Sequence, residues 1–383
     1  MWPNNRILDL FGFQLPIIQA PMAGSVFSEM VVAVSEAGGL GSLPCALLSL
    51  EQMRNELEAI HRQTRRPINV NFFCHAPPRV DANRETLWRQ RLRRYYVELG
   101  LDQNKPIPSA NRAPFDDQMC DLVVEFHPEV VSFHFGLPEE RLVQRVRDTG
   151  AKIVSSATSV DEARWLEDRG CDAIVAQGYE AGGHRGLFLT EDVSTQVGTM
   201  ALVPQVVDTV KVPVIAAGGI ADARGIVAAF ALGAAAAQIG TAYLLCPEAK
   251  VSPVYREALK NATDNQTTLT NIFTGRPARG ILNRAIRELG PISDNVPEFP
   301  LAATALGPLR AKAEAAESSD FTPLWSGQAA RLARELPAAA LTKRLATETL
   351  EKLSSLSKPS PVHSFVSARP GLPSQVSLHL LHN

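Results

Sequence analysis

One histidine stands in an unusual setting. The stretch Gln177, Gly178, Tyr179, Glu180, Ala181, Gly182, Gly183, His184, Arg185, Gly186 puts a single imidazole among four glycines. An imidazole titrates near neutrality, so it can take a proton from carbon or donate a hydrogen bond to a developing anion. Glycines on both sides, Gly183 among them, let a planar ring lie close. His184 is therefore the candidate catalytic residue. His134 is a weaker candidate for substrate contact, with structural packing an equal alternative. His75 and His127 are read as packing residues.

Two Gly-bearing turns suggest a second kind of chemistry. Gly218 and Gly219 follow one apolar run, and Gly240 and Thr241, preceded by Gln238, follow the next. Small residues there let a phosphate approach backbone N–H groups, and a short helix start adds a favourable dipole. No G-x-G-x-x-G fingerprint joins a strand to a helix, so a dinucleotide held in that way is disfavoured and FMN fits better than FAD or NAD. The side chains of Asn71 and Gln177, and the loop Ala20, Pro21, Met22, Ala23, Gly24, are chemically suited to an isoalloxazine ring.

These residues need a scaffold that brings them to one place. Short apolar runs alternate with helical patterns at Ile17–Ala20, Leu40–Leu43, Ile68–Phe72, Val130–His134, Lys152–Ser156, Ala173–Gln177, Val212–Ala216 and Ala235–Ile239. Helices are expected between them, for example over Glu51–Gln63, Glu139–Thr149, Val160–Arg169 and Asp222–Leu232. Eight such units predict an α/β fold, a (β/α)8 TIM barrel over residues 1–245, whose ligands bind at the C-terminal ends of the strands. Each chemical residue above falls at such an end. Residues 76–115 interrupt the rhythm as an insertion, and its Trp88, Arg89, Arg91, Arg93, Arg94, Tyr95 and Tyr96 are read as a solvated helix face. Residues 246–321 are expected to form a mainly helical substrate lobe. Leu324–Leu353 reads as helices divided at Pro337 that pack on the barrel, and residues 356–383 read as a disordered tail.

Composition narrows the partners. The chain has 383 residues, 45% of them hydrophobic and 20% charged, with a formal net charge of −2. That is an ordinary globular composition, with no electrostatic reason to expect nucleic acid or an anionic membrane. The longest apolar stretch, Ala223–Leu245, is broken by Arg224, Gly225, Gly233, Gln238 and Gly240, so no membrane span is expected. Without a signal-peptide pattern, a cytoplasmic location is the default. The five scattered cysteines fit neither disulfides nor a metal site.

Taken together, several stretches resemble class I nitronate monooxygenases: PIIQAPMAG (16–24), NVNFFCH (69–75), VSFHFG (131–136), AQGYEAGGHRG (176–186), AAGG (216–219), QIGT (238–241) and TGRPARGILN (274–283). The GGH loop and AAGG turn are shared with FMN-dependent enoyl-acyl-carrier-protein reductases and NADH:quinone reductases, which form the alternative reading. A flavin-binding protein without turnover is a more remote one. The resemblance implies FMN held by Asn71, Gln177, Gly182, Gly219, Gln238, Ile239, Gly240 and Thr241, with His184 beside the ring. It also implies that a nitronate gives up one electron to FMN and that molecular oxygen then yields a carbonyl compound and nitrite. The protein would act as a monomer or homodimer on small molecules. Some relatives carry tyrosines and a lysine where Pro297–Leu309 here has Phe299, Ala303 and Gly307, which points to a more apolar pocket and to uncharged alkyl nitronates.

Overall fold

A computed structural model describes residues 1–103 and 112–357. The tail from residue 358 and residues 104–111 of the insertion lie outside the described residues.

The strands, in chain order, are β1 (Ile17–Gln19), β2 (Gly41–Pro44), β3 (Ile68–Phe73), β4 (Val130–His134), β5 (Lys152–Ala157), β6 (Ala173–Gln177), β7 (Gly183–His184), β8 (Val214–Ala217), β9 (Ala236–Ile239), β10 (Thr267–Thr270) and β11 (Ala278–Ile281). Eight of them pair in parallel in the order β1-β9-β8-β6-β5-β4-β3-β2. An Ile18–Leu40 bridge joins the two ends, supported by Gln19 N–H to Leu40 O at 3.0 Å and Leu40 N–H to Ile17 O at 3.0 Å. The fold is the expected α/β barrel, and the predicted strands match to within two residues at each end.

Side chains alternate across each strand, so one parity faces the barrel interior. Ile18, Leu40, Val130, Val154, Ala173, Val175, Ile215, Ala217 and Ala236 from around the barrel share one apolar cluster with Ile7, Phe11 and Phe13. The helix Arg6–Phe11 thus plugs the N-terminal mouth. Counting on in twos from these residues, and from Asn69 of β3 beside Val130, brings Asn71, Phe73, Ser132, His134, Ser156, Gln177 and Gln238 to the inward face nearer the opposite mouth. The other parity meets the surrounding helices in a larger apolar layer that includes Ile17, Val131, Ile153 and Ile174.

The insertion helix Ala82–Glu98 packs against Ala302–Ala315 of the lobe. Its Trp88, Leu92, Tyr95 and Tyr96 are buried in a second core with Ile272, Phe273 and Phe321. Only the arginine side is exposed, and two of its members serve the lobe: Arg91 reaches Ser293 Oγ at 2.8 Å and Arg94 reaches Glu288 at 3.0 Å. The wholly solvated face read from the sequence is therefore half buried, because the aromatic residues recur at helical spacing and supply the contact.

The lobe also contains sheet. β10 and β11 form an antiparallel pair, and β11 pairs with β7 from the Gly-rich loop that holds His184. Leu324–Leu353 is not two helices. Residues before Pro337 form an extended strap with a short turn at Ala330–Leu332, and one helix, Ala338–Ser357, follows. Proline suits the entry of a helix better than its interior, and here the first amide after it, Ala338 N–H, donates to the Glu248 carboxylate at 3.0 Å. That helix packs on Ser28–Glu36 and Ala223–Ala231.

Candidate functional site

A cleft holding about 880 Å³ of space, part of it open to solvent, lies at the C-terminal mouth, lined among others by Ala20, Met22, Gln177, Gly182, Gly183, Gly218, Gly219, Gln238, Gly240 and Thr241. Ten of the thirteen residues read as cofactor contacts are thus brought together. Pro21, Asn71 and Ile239 do not line it. Ile239 is fully buried in the outer layer. Asn71 is turned to its neighbouring strand, where its Nδ2 donates to Ser132 Oγ at 2.9 Å and to Ser132 O at 3.2 Å.

The lining suits a phosphorylated cofactor. Gly218 and Gly219 both have positive φ, 113° and 70°, a conformation that disfavours any side chain. Nearby helix starts are already satisfied: Thr199 N–H by the Glu180 carboxylate at 2.8 Å, and Arg224 N–H by Asp222 at 2.9 Å. The turn Thr241–Leu245 begins at Gly240 on the cavity wall without a side-chain cap. Among the described residues the Gln238 amide has no hydrogen-bond partner, and it too faces the cavity. A flavin ring and phosphate would find polar side chains, glycine turns and an uncapped helix start here.

Behind the wall, two buried arginines shape the Gly-rich loop that leads to His184. Arg185, fully buried, donates to Gly178 O at 2.7 Å and Gln177 O at 2.8 Å. Arg279, 2% exposed, donates from Nε to Tyr179 O at 3.0 Å. Between them they hold the carbonyls of three successive residues, so the loop is drawn tight by charged donors.

His184 adjoins the cavity beyond Gly183 and Trp325. Its ring centroid lies 5.5 Å from Trp325, 5.3 Å from Phe299, 6.1 Å from Phe73 and 6.2 Å from Phe135. Its Nε2 is 2.9 Å from Thr274 Oγ1. Burial, then the positive fields of Arg112, His134, Arg276 and His75, holds its pKa well below 6.5. The ring is neutral at physiological pH, a poor base and a serviceable hydrogen-bond donor.

His134 lies beneath the loop. Its Nδ1 is 2.5 Å from Ser156 Oγ, and its Nε2 is 3.2 Å from the His184 carbonyl. A carbonyl only accepts, so Nε2 carries the proton and Nδ1 accepts from the serine. Both nitrogens are spent inside the protein. Gln177 is similarly engaged, with Nε2 donating to His184 O at 3.0 Å and Oε1 accepting Gly186 N–H at 2.7 Å.

Thr274, Trp325, Phe73, Phe135, Arg112, Arg276 and the strap Ser326–Gln328 also surround the site; none was named as a site residue from the sequence, although Thr274, Phe73, Phe135 and Arg276 fall within the motifs quoted above. Phe73 was legible from alternation with Asn69 and Asn71. The β-branched run Thr267–Thr270 likewise signalled a strand. Arg112 lies over the Phe299 ring at 5.7 Å and Arg276 over Phe135 at 4.0 Å. The wall is therefore aromatic and cationic rather than simply apolar, because the charge arrives from outside Pro297–Leu309.

A family model described as nitronate monooxygenase matches residues 4–348. The chain is 41% identical over 347 residues to the nitronate monooxygenase of Pseudomonas aeruginosa, covering 90% of this chain and 99% of that one. It is 36% identical to a probable nitronate monooxygenase of Staphylococcus saprophyticus, covering 91% and 98%. Among solved structures, nitroalkane oxidase from Streptomyces ansochromogenes superposes with a TM-score of 0.83 at 37% identity, covering 92% of this chain and all of that one (100%). FabK from Thermotoga maritima gives 0.71 at 30% identity, covering 93% and 99%.

Proposed function

Because the chain belongs to the nitronate monooxygenase family, we propose that it oxidises alkyl nitronates with molecular oxygen to a carbonyl compound and nitrite, using FMN in the β1–β6–β8–β9 cavity. It is an oxidoreductase of a flavin-dependent family. The observation that carries the reading is the neutral His184, set beside the cavity in a box of Phe73, Phe135, Phe299 and Trp325.

Bound flavin supplies the one-electron acceptor. The protein supplies the rest. Gln177, Gly182, Gly183 and Gln238 would approach the ring, while Gly218, Gly219, Gly240 and Thr241 would surround the phosphate. The aromatic box limits water around the substrate carbon. His184 offers an N–H to the nitro oxygens, where a donor in a water-poor site stabilises negative charge most effectively. Arg112 and Arg276 favour an anionic substrate over its neutral acid. These guanidiniums bring positive charge to the same wall, which opposes the preference for uncharged over carboxylated nitronates that Pro297–Leu309 alone suggests. A cytoplasmic location belongs to the same reading, supported by five unpaired cysteines.

The test is nitrite release and oxygen uptake when the purified yellow protein meets preformed propyl-2-nitronate without NADH. Rapid turnover supports the proposal. No turnover, with rapid anaerobic bleaching by NADH, would replace it with a reductase.

A further inference from the structure

Trp325 stands where the cleft meets His184. It lines the cleft, and its ring centroid lies 5.5 Å from the imidazole at an interplanar angle of 52°. Several contacts fix its place. Its backbone bridges to Gly280 of β11, and its carbonyl accepts the Tyr255 hydroxyl. Phe273 packs edge-on against the ring, with centroids 5.6 Å apart at 87°. A Cβ on Gly280 would lie 3.2 Å from Trp325 Cε3, so that edge of the indole rests on β11, where glycine leaves room for it.

In an indole, Cε3 and Nε1 lie diagonally opposite across the bond that fuses the two rings, so the nitrogen edge is turned away from the strand. An indole nitrogen donates and never accepts, and a partly buried tryptophan ordinarily finds an acceptor for it. Among the described residues Trp325 Nε1 has no hydrogen-bond partner. Trp88 Nε1 also lacks one, but it is sealed inside the lobe core. Trp325 Nε1 is not sealed, and the residue faces the cleft. Its direction as a donor holds whichever nitrogen of His184 carries the proton.

We propose that Trp325 Nε1–H donates to a nitro oxygen of the substrate, beside His184. This rests on the reading of His184 as the residue that meets the nitro group. A nitronate spreads its negative charge over two oxygens, and two rings 5.5 Å apart can each serve one of them. A hydrogen bond to a charged acceptor is stronger than one between neutral groups, so the indole contributes to holding the anion as well as walling off water.

The experiment is ¹⁵N NMR of the FMN-loaded protein labelled at its four tryptophans, with the Trp325 indole signal identified by its loss in Trp325→Phe. The probe is nitrate, a planar oxyanion with no carbon to oxidise. Nitrate should move the Trp325 signal downfield and leave those of Trp2, Trp88 and Trp165 in place. Trp325→Phe, which keeps an aromatic wall and removes the N–H, should raise KM for ethylnitronate about tenfold or more, the usual worth of a bond to a charged group, while its flavin affinity stays at the wild-type value. A Trp325 signal that nitrate leaves unmoved, or a KM that survives the substitution, overturns the proposal. So does weakened flavin binding with KM unchanged, which would assign the N–H to the cofactor. Should Trp325→Phe misfold, Trp2→Phe and Trp165→Phe remove two of the other signals, and slow solvent exchange marks the sealed Trp88, so the nitrate titration still decides. A nitrate-dependent shift in a wild-type protein that does not oxidise nitronates would reject the monooxygenase reading and leave the anion contact standing.

Discussion

The His134 imidazole donates from Nε2 to the main-chain carbonyl of His184 across 3.2 Å. The same carbonyl accepts Gln177 Nε2 at 3.0 Å, so both of its lone pairs are used. The two histidines are coupled through backbone: His134 steadies the loop from Nε2 while Ser156 holds its Nδ1.

Acid should destabilise the fold around His134, because burial penalises its charged form. Burial, with Arg276 and Arg185 adding to it against the bond to His184, lowers the His134 pKa to about 3, whereas an unfolded histidine titrates near ~6.5. The unfolded chain therefore takes up this proton first. Its stabilising contribution is complete above about pH 6.5 and is lost progressively as pH falls toward 3. Melting temperatures measured from pH 7 to pH 4 should fall less steeply for His134→Gln than for wild type. Equal slopes would reject this account.

Removing the imidazole should separate binding from turnover. His184→Ala is expected to purify with flavin, because the cavity is lined by other residues. Nitrite release from propyl-2-nitronate should drop by about 10²–10³, the usual cost of one donor to a developing anion. Full activity in the visibly yellow variant would exclude His184 from the chemistry.

Substrate protonation state gives a third check. With its pKa well below 6.5, His184 remains neutral from about pH 6 to 9, so kcat/KM for preformed nitronate should show no histidine ionisation in that range. Neutral 2-nitropropane should be consumed no faster than it ionises in solution. Enzyme-dependent consumption ahead of that rate would restore the histidine as a base.

Two adjacent glycines should respond differently to alanine. A Cβ on Gly182 would lie 2.5 Å from Gly327 N and 2.6 Å from Ser326 C, pushing the strap away from the cavity. A Cβ on Gly183 would meet nothing within 4 Å, and only its φ of 75° opposes the change, at a cost of about 1–2 kcal/mol. Flavin content per protein should collapse in Gly182→Ala and survive in Gly183→Ala. The reverse order would show that the strap does not close this wall.

Local pattern determined much of this protein. The strands and the loops that end them follow from period-two alternation and Gly punctuation, which are properties of neighbouring residues. The same locality made His184, Gly218, Gly219, Gly240 and Thr241 legible, since a strand end in a closed barrel has only one mouth to face. Hydrogen-bond partners were not legible. Asn71 met Ser132, His134 spent both nitrogens below the loop, and Thr274 reached His184 only because β11 pairs with β7 in one register. Which partner a polar side chain finds depends on distances set by barrel closure and lobe packing, and tertiary structure alone decides those.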